Sequence, residues 1–219
     1  VALGFVAGFT GKEIEDGVKK LGVQTDFIHL QDGMSRINVK IKAGEETEIN
    51  GAGPVPGWED VDRLCQVIQS LADGDFLVLS GNVPSSIKGA YEYILKNMPE
   101  GKVKPVVDVT GEELKKTLPY HPFLIKPNLE ELEDLFGVRI KTEEEVKHYA
   151  GELQSAGARN VLVSMGSLGM LLLTEDARAF FAEGVKGEAA NTVGAGDSAV
   201  AGFLAGWEQS HDWEKALRL

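Results

Sequence analysis

Two periods of apolar and polar positions alternate along this chain. Residues 1–6 form an apolar run of strand length, and residues 11–22 set Ile14, Val18 and Leu21 on one helical face, with Gly22 as the stop. Residues 26–50 switch to a period of two, which predicts strands at 26–30, 35–42 and 47–49, broken at Asp32-Gly33 and Ala43-Gly44. The middle strand alternates strictly. Ser35, Ile37, Val39 and Ile41 point one way, and Met34, Arg36, Asn38, Lys40 and Lys42 point the other. Its mostly apolar face needs cover from the core or from another subunit, while Arg36 and Lys40 read first as a solvated sheet face.

After the break Gly51-Ala52-Gly53-Pro54-Val55-Pro56-Gly57, helix and strand take turns. A helix is predicted over 58–72, burying Val61, Leu64, Cys65, Ile68 and Leu71, then a buried strand over 76–79 that runs into Ser80-Gly81-Asn82-Val83-Pro84. A helix to about residue 98 precedes a strand at 105–109, which carries Asp108-Val109-Thr110-Gly111 at its end. Next come a helix over 112–118, a strand over 123–125 closed by Lys126-Pro127-Asn128, and a helix over 129–136. Thr142-Glu143-Glu144-Glu145 is a capping box for a helix to residue 156. Strands at 161–164, 170–173 and 179–182 lead to a small-residue helix that starts at Gly194-Ala195-Gly196 and runs to about residue 207. This rhythm predicts an α/β fold, a mostly parallel sheet with helices on both faces. Ligands of such sheets bind past the carboxyl ends of the strands. The polar loops expected there carry Asn82, Asp108, Lys126, Asn128, Glu131, Ser164, Gly166 and Asp197.

Composition narrows the function. The chain has 219 residues, 43% of them hydrophobic, enough for one sizeable core with a small appendage. Its 22 basic and 34 acidic residues give a net charge of −12, which argues against wholesale nucleic-acid binding and requires a locally basic pocket for any anionic substrate. No apolar run reaches the ~18 residues of a membrane span, and the sequence opens without a signal-like segment. The single cysteine, Cys65, reads as a small core residue and suits a reducing cytoplasm; the four histidines lack metal-ligand spacing.

The candidate chemistry lies near the end. Gly194, Ala195 and Gly196 let the backbone turn tightly and bring N–H groups to a ligand, and the helix start adds unpaired amides and a positive dipole end. Asp197 follows in the first turn, where a carboxylate can reach a bound substrate. An anion cradle with an adjacent acid reads as phosphoryl transfer, the amides steadying phosphate charge while the acid takes a hydroxyl proton. The residues alone leave a packing role equally open. Gly194, Gly196 and Ala199 also fit G-x-G-x-x-A, but a dinucleotide fingerprint normally sits in the first βα turn, and Asp197 would repel a pyrophosphate. No G-x-x-x-x-G-K-[ST] occurs.

At this point the motifs resemble a family. Asn191-Thr192-Val193-Gly194-Ala195-Gly196-Asp197 is similar to the D-T-x-G-A-G-D signature of the PfkB (ribokinase-like) carbohydrate kinases, with Asn191 in place of the first Asp. Lys126-Pro127-Asn128-Leu129-Glu130-Glu131 resembles its K-P-N-x-x-E, Asp108-Val109-Thr110-Gly111 its D-x-[ST]-G, and the stretch from Ser164 to Gly169 its S-x-G-x-x-G. Ser35-Arg36-Ile37-Asn38-Val39-Lys40 and the stretch from Glu46 to Pro54 look most like the bacterial branch that phosphorylates fructose 1-phosphate, with tagatose-6-phosphate kinases as close relatives. The resemblance implies a ribokinase-like core at 1–25 and 51–219 with a small β lid at 26–50. Asp197 is then the base for the C6 hydroxyl, and Gly194, Ala195 and Gly196 form the anion hole for the γ-phosphoryl of ATP. Asn128 and Glu131 position Mg²⁺ through water. Lys126, Ser164, Gly166 and Gly169 line the nucleotide side, and Arg36 and Asn38 hold the sugar phosphate, which reverses the solvated-face reading for those two alone. The family's serine in a G-S-x-P loop is replaced by Asn82. Its first strand, the G-G-K-G-x-N segment and its last nucleotide-side elements have no counterpart, so the chain is expected to be truncated at both ends, with turnover belonging to the complete protein. A homodimer formed through the lid's apolar face is the expected assembly.

Overall fold

Strands that are apolar on both faces are satisfied only between two layers of helix. The computed structural model describes residues 1–43, 45–99, 101, 103–184, 187 and 193–219. The chain divides into two compact units, Val1–Asp73 with Asn82–Lys102, and Gly74–Gly81 with Val103–Leu219.

The second unit holds a six-stranded sheet: β5 (Phe76–Ser80), β6 (Lys104–Asp108), β7 (Leu124–Ile125) and β8 (Asn160–Ser164) run parallel, then β9 (Gly169–Leu173) and β10 (Ala179–Glu183) turn antiparallel. Val106, Leu124, Leu162 and Leu172 point to one face, where they pack with Val200 and Phe203 of α7 (Ala195–Ser210) and with Ala216 and Leu217 of α8 (Trp213–Leu217). By alternation Val107, Ile125, Val161, Val163 and Leu173 point to the other face. There α6 (Glu143–Ser155) lies close enough that a Cβ on Gly151 would stand 4.0 Å from Leu173. Helices α4 (Gly111–Thr117) and α5 (Leu129–Phe136) continue that layer. The expected mostly parallel sheet, covered on both faces, is present.

The first unit pairs β1 (Ala2–Ala7) with β2 (Thr25–Leu30) in parallel through the crossover helix α1 (Gly8–Lys20). An antiparallel ribbon follows, β3 (Asn38–Ala43) with β4 (Glu45–Asn50), and then α2 (Trp58–Ile68) and α3 (Ala90–Asn97), joined by a 2.7 Å hydrogen bond from Tyr93 Oη to Asp62 Oδ1.

Several expectations shift. The strand at 26–30 pairs with β1, so it belongs to a βαβ unit and not with the ribbon of the proposed lid. Helix α1 starts at Gly8, three residues early, because Thr10 and Gly11 pack against the later Ser35. Ser35 is buried within an otherwise exposed loop, and the strand begins only at Asn38. β5 alternates, with Val78 44% exposed, since in this sheet it has a neighbour on one side only. Helix α8 was not legible: it is five residues long, started by Asp212 Oδ1 accepting from Lys215 N at 3.1 Å, and docked where a Cβ on Gly206 would overlap Ala216 Cα at 2.8 Å.

Phe123 is 3% exposed and joins the two layers of the α7 face, with Phe76 at 5.4 Å and Trp213 at 6.1 Å between ring centroids. Phe123→Ala is expected to destabilise the protein by about 3–5 kcal/mol in urea unfolding, because the rigid rings around it cannot collapse into the hole. A loss below ~1 kcal/mol would show that this cluster is not part of the cooperative core.

Candidate active site

The parallel strands of the second unit deliver their polar ends to one edge. Ser80 closes β5, Asp108 closes β6, Lys126 follows β7, and Ser164 closes β8. Lys126 is the least expected of these in its surroundings. Its amide donates to Val107 O at 3.3 Å, its side chain is only 6% exposed, and its ammonium lies 3.2 Å from Asp108 Oδ1. Burial pushes the Asp108 carboxyl above its ordinary range; Lys126 pulls it down, and the charge of Asp197 adds to the rise.

The glycine turn passes over this pair. Gly194 adopts φ +78°, a left-handed conformation that glycine takes without strain, and α7 begins at Ala195. A Cβ on Gly196 would come within 3.2 Å of Lys126 Nζ and 3.5 Å of its Cε. The first intrahelical bond runs from Ser198 N to Gly194 O at 2.8 Å, so the amides of Ala195, Gly196 and Asp197 precede the helical ladder and belong to its positive end. Asp197 is exposed in that first turn, with Ser80 Oγ 3.5 Å from its Oδ1. Asn191 and Thr192, the start of the signature, lie outside the described residues.

Asn128 and Glu131 meet as a capping box at the start of α5. Asn128 Oδ1 accepts from Glu131 N at 2.8 Å, and Glu131 Oε2 accepts from Asn128 N at 2.8 Å. Asn128 also bridges Ser164 in parallel, and Ser164 N donates to Pro127 O at 3.1 Å, which brings Lys126, Asn128 and Ser164 side by side. Gly166 opens the exposed turn between β8 and β9. Gly169 has a structural reason to be glycine: φ is +110° and a Cβ would fall 2.0 Å from Ala182 O of β10. Arg36 and Asn38 are exposed in the first unit. Among the described residues no cluster of three or more His, Cys, Asp or Glu side chains could hold a metal ion by itself, and no helix is long and apolar enough to cross a membrane.

Sequence reasoning missed the Lys126–Asp108 ion pair and the approach of Ser80 to Asp197. The only signal was that each polar residue ends an apolar run, which places it at the edge without saying what it meets.

A glycine turn that opens a helix over a buried, ion-paired lysine, with an exposed carboxylate in its first turn, suits transfer of an anionic group, and the relatives agree. All of residues 1–219 match the pfkB family carbohydrate kinase profile. The chain belongs to the pfkB family of carbohydrate kinases. This pfkB kinase is 45% identical to a 1-phosphofructokinase from Bacillus subtilis, aligned over 100% of the chain and 72% of the relative. It is 36% identical to a D-tagatose-1-phosphate kinase from Bacillus licheniformis, over 99% of the chain and 71% of the relative. The crystal structure of a candidate phosphofructokinase from Staphylococcus aureus superposes with a TM-score of 0.87 at 39% identity, covering 99% of the chain and 71% of the other. The fold is therefore ribokinase-like, and the protein is a phosphotransferase acting on a sugar hydroxyl with ATP as co-substrate.

Removing the cation beneath the turn tests its electrostatic role. Lys126→Met leaves Asp108 partly buried without its counter-charge, at an expected cost of about 1–3 kcal/mol. The sign with pH follows from the raised Asp108 carboxyl, which rises further in the variant. The unfolded chain then loses its proton first, so the variant's deficit against wild type is smallest below the ordinary aspartate range and grows as pH rises through the folded value. Parallel stability–pH curves for the two proteins would show that the ion pair does not couple to folding.

Proposed function

We propose that this pfkB kinase transfers the γ-phosphoryl of ATP to the C6 hydroxyl of fructose 1-phosphate, giving fructose 1,6-bisphosphate in the cytoplasm. The observation that carries the reading is the exposed carboxylate of Asp197, set in the first turn of α7 among amides that precede the helical ladder. Asp197 takes the hydroxyl proton as the oxygen attacks. The amides of Ala195 and Gly196, with Gly194 shaping the turn, meet charge that develops on the transferring group. Lys126, Ser164 and Gly166 serve the nucleotide side; Gly169 serves it by holding β10 against β9. Arg36, in the loop before the ribbon, and Asn38, its first residue, are the candidate contacts to the sugar phosphate, and the ribbon at 38–50 is the candidate lid. The 1-phosphofructokinase relative supports the choice of sugar.

The residues present fit Mg²⁺ in one manner. Asn128 Oδ1 and Glu131 Oε2 are each engaged with a backbone amide, so these groups orient metal-bound water and do not build a closed protein cage. When bound with ATP, the ion supplies positive charge to the phosphates. A second reading rests on the tagatose relative: tagatose 1-phosphate joins tagatose 6-phosphate as the alternative acceptor.

Asp197→Asn is expected to lower kcat at least ~10²-fold with little change in ATP affinity, as for a lost general base. Arg36→Ala is expected to raise the KM for the sugar phosphate far more than that for ATP. An ATP-coupled assay of the full chain against fructose 1-phosphate, fructose 6-phosphate and both tagatose phosphates checks the acceptor. Near-normal turnover by Asp197→Asn would remove the base, and a preference for a tagatose phosphate would replace the sugar.

The ribbon supports the homodimer. Val39 pairs with Ile49 and Ile41 with Thr47 on one face, and Val39, Ile41 and Ile49 are all exposed. A two-stranded ribbon with a bare apolar face is marginal in water, and a second copy of that face would cover it. Light scattering at micromolar concentration is expected to give a dimer, and Ile49→Lys a monomer. A monomeric wild type would end the lid-to-lid proposal.

A further inference from the structure

The loop that carries Arg36 is anchored on both sides of that residue. Before it, Ser35 N donates to Ala7 O at 2.9 Å, Ser35 Oγ accepts from Ala7 N at 3.1 Å, and Thr10 Oγ1 donates to Ser35 O at 2.8 Å. Thr10 is 8% exposed and Ser35 7%, so two hydroxyls are buried where β1 hands over to α1. The fit leaves no room for side chains: a Cβ on Gly8 would lie 2.8 Å from Gly33 O, and one on Gly11 would lie 3.0 Å from Ser35 Oγ. After Arg36, Gly51 N donates to Ile37 O at 3.1 Å, and a Cβ on Gly51 would lie 2.7 Å from that oxygen. Gly53 passes alongside, where its Cβ would touch Arg36 Cβ at 3.7 Å. The guanidinium itself stays exposed.

Buried hydroxyls add little net stability, because an apolar pair of the same shape can hold a fold as well. What they do add is direction. A hydrogen bond fixes the backbone at Ser35 to one position, and a flexible arginine on a fixed backbone loses less freedom when it grips an anion.

We propose that Thr10 and Ser35 form a latch that presets the Arg36 loop for an anionic sugar substrate, with Thr10 as a positioning residue that does not touch the substrate. The latch rests on the reading of Arg36 as a sugar-phosphate contact, and the test separates the two. In the full chain, Thr10→Val keeps the volume and removes the donor, whereas Thr10→Ser keeps the donor. Thr10→Val is expected to raise the KM for the sugar phosphate about tenfold with the KM for ATP unchanged, and Thr10→Ser to stay near wild type. In the substrate-free protein, the Ser35 amide is expected to exchange its hydrogen faster in Thr10→Val than in wild type. Ser35→Ala, which removes one acceptor only, is expected to show a smaller shift of the same selectivity.

Arg36→Ala runs beside these variants. If it raises the sugar-phosphate KM while Thr10→Val does not, the latch is overturned and the Arg36 contact stands. If Arg36→Ala leaves that KM unchanged, the contact fails and the latch's role fails with it. Equal rises in both KM values, a Thr10→Ser variant as impaired as Thr10→Val, or unchanged Ser35 exchange would also overturn the latch.

Discussion

A buried ammonium group beneath a glycine turn sets the terms for the site of this pfkB kinase. Lys126 is almost wholly enclosed, and an enclosed cation persists only with a counter-charge; Asp108 supplies it at 3.2 Å. The same ammonium occupies the space a side chain at residue 196 would need. A side chain at that position would press the ammonium to 3.2 Å, so the Lys126–Asp108 pair would have to shift by a few tenths of an ångström to admit it. The left-handed turn at Gly194 starts α7 beside this pair and sets Asp197 in the first helical turn.

Rigidity for that arrangement comes from the sheet. Val106, Val107, Leu124, Ile125, Val161, Leu162 and Val163 are fully buried, so the strands that end in Asp108, Ser164 and the Lys126 segment are packed from both sides. Helix α7 is fixed by the same core through Val200 and Phe203, and by α8 against Gly206. A strand end cannot drift when its neighbours on both faces are close-packed, which is why polar groups on short loops there keep a defined geometry.

Most of the architecture was legible in the sequence because it follows from runs and periods. The capping box at Thr142, the alternation of strand and helix, and the glycine start of α7 all depend on local chemistry that a sequence displays. What stayed hidden depends on long-range meetings. The start of α1 at Gly8 is decided by Ser35, 27 residues later, and the glycines at 157 and 169 are demanded by the carbonyls of Leu118 and Ala182. The candidate site divides in the same way. Asp197, Gly194 and Gly196 announced themselves through a motif, and the Lys126–Asp108 contact joins two separate loops. Gly169 shows the hazard in the motif itself, since a position carried over for nucleotide binding has a sufficient reason to be glycine in strand pairing.

The charge balance at the strand edge bears on how phosphate can bind there. Among the residues assigned to the site in the second unit, Asp108, Glu131 and Asp197 stand against Lys126 alone, three carboxylates to one ammonium. Asp108 and Lys126 offset each other as an ion pair, which leaves the carboxylates of Glu131 and Asp197 without a matching cation in this set. The amides at the start of α7 offer partial charge only, roughly half an elementary charge in all. A polyphosphate entering this field, in a chain of net charge −12, has to bring compensating charge with it. A hard divalent cation chelated by the phosphates would supply that charge without a protein cage, in keeping with the proposed role of Asn128 and Glu131, whose capping-box oxygens are already engaged with backbone amides.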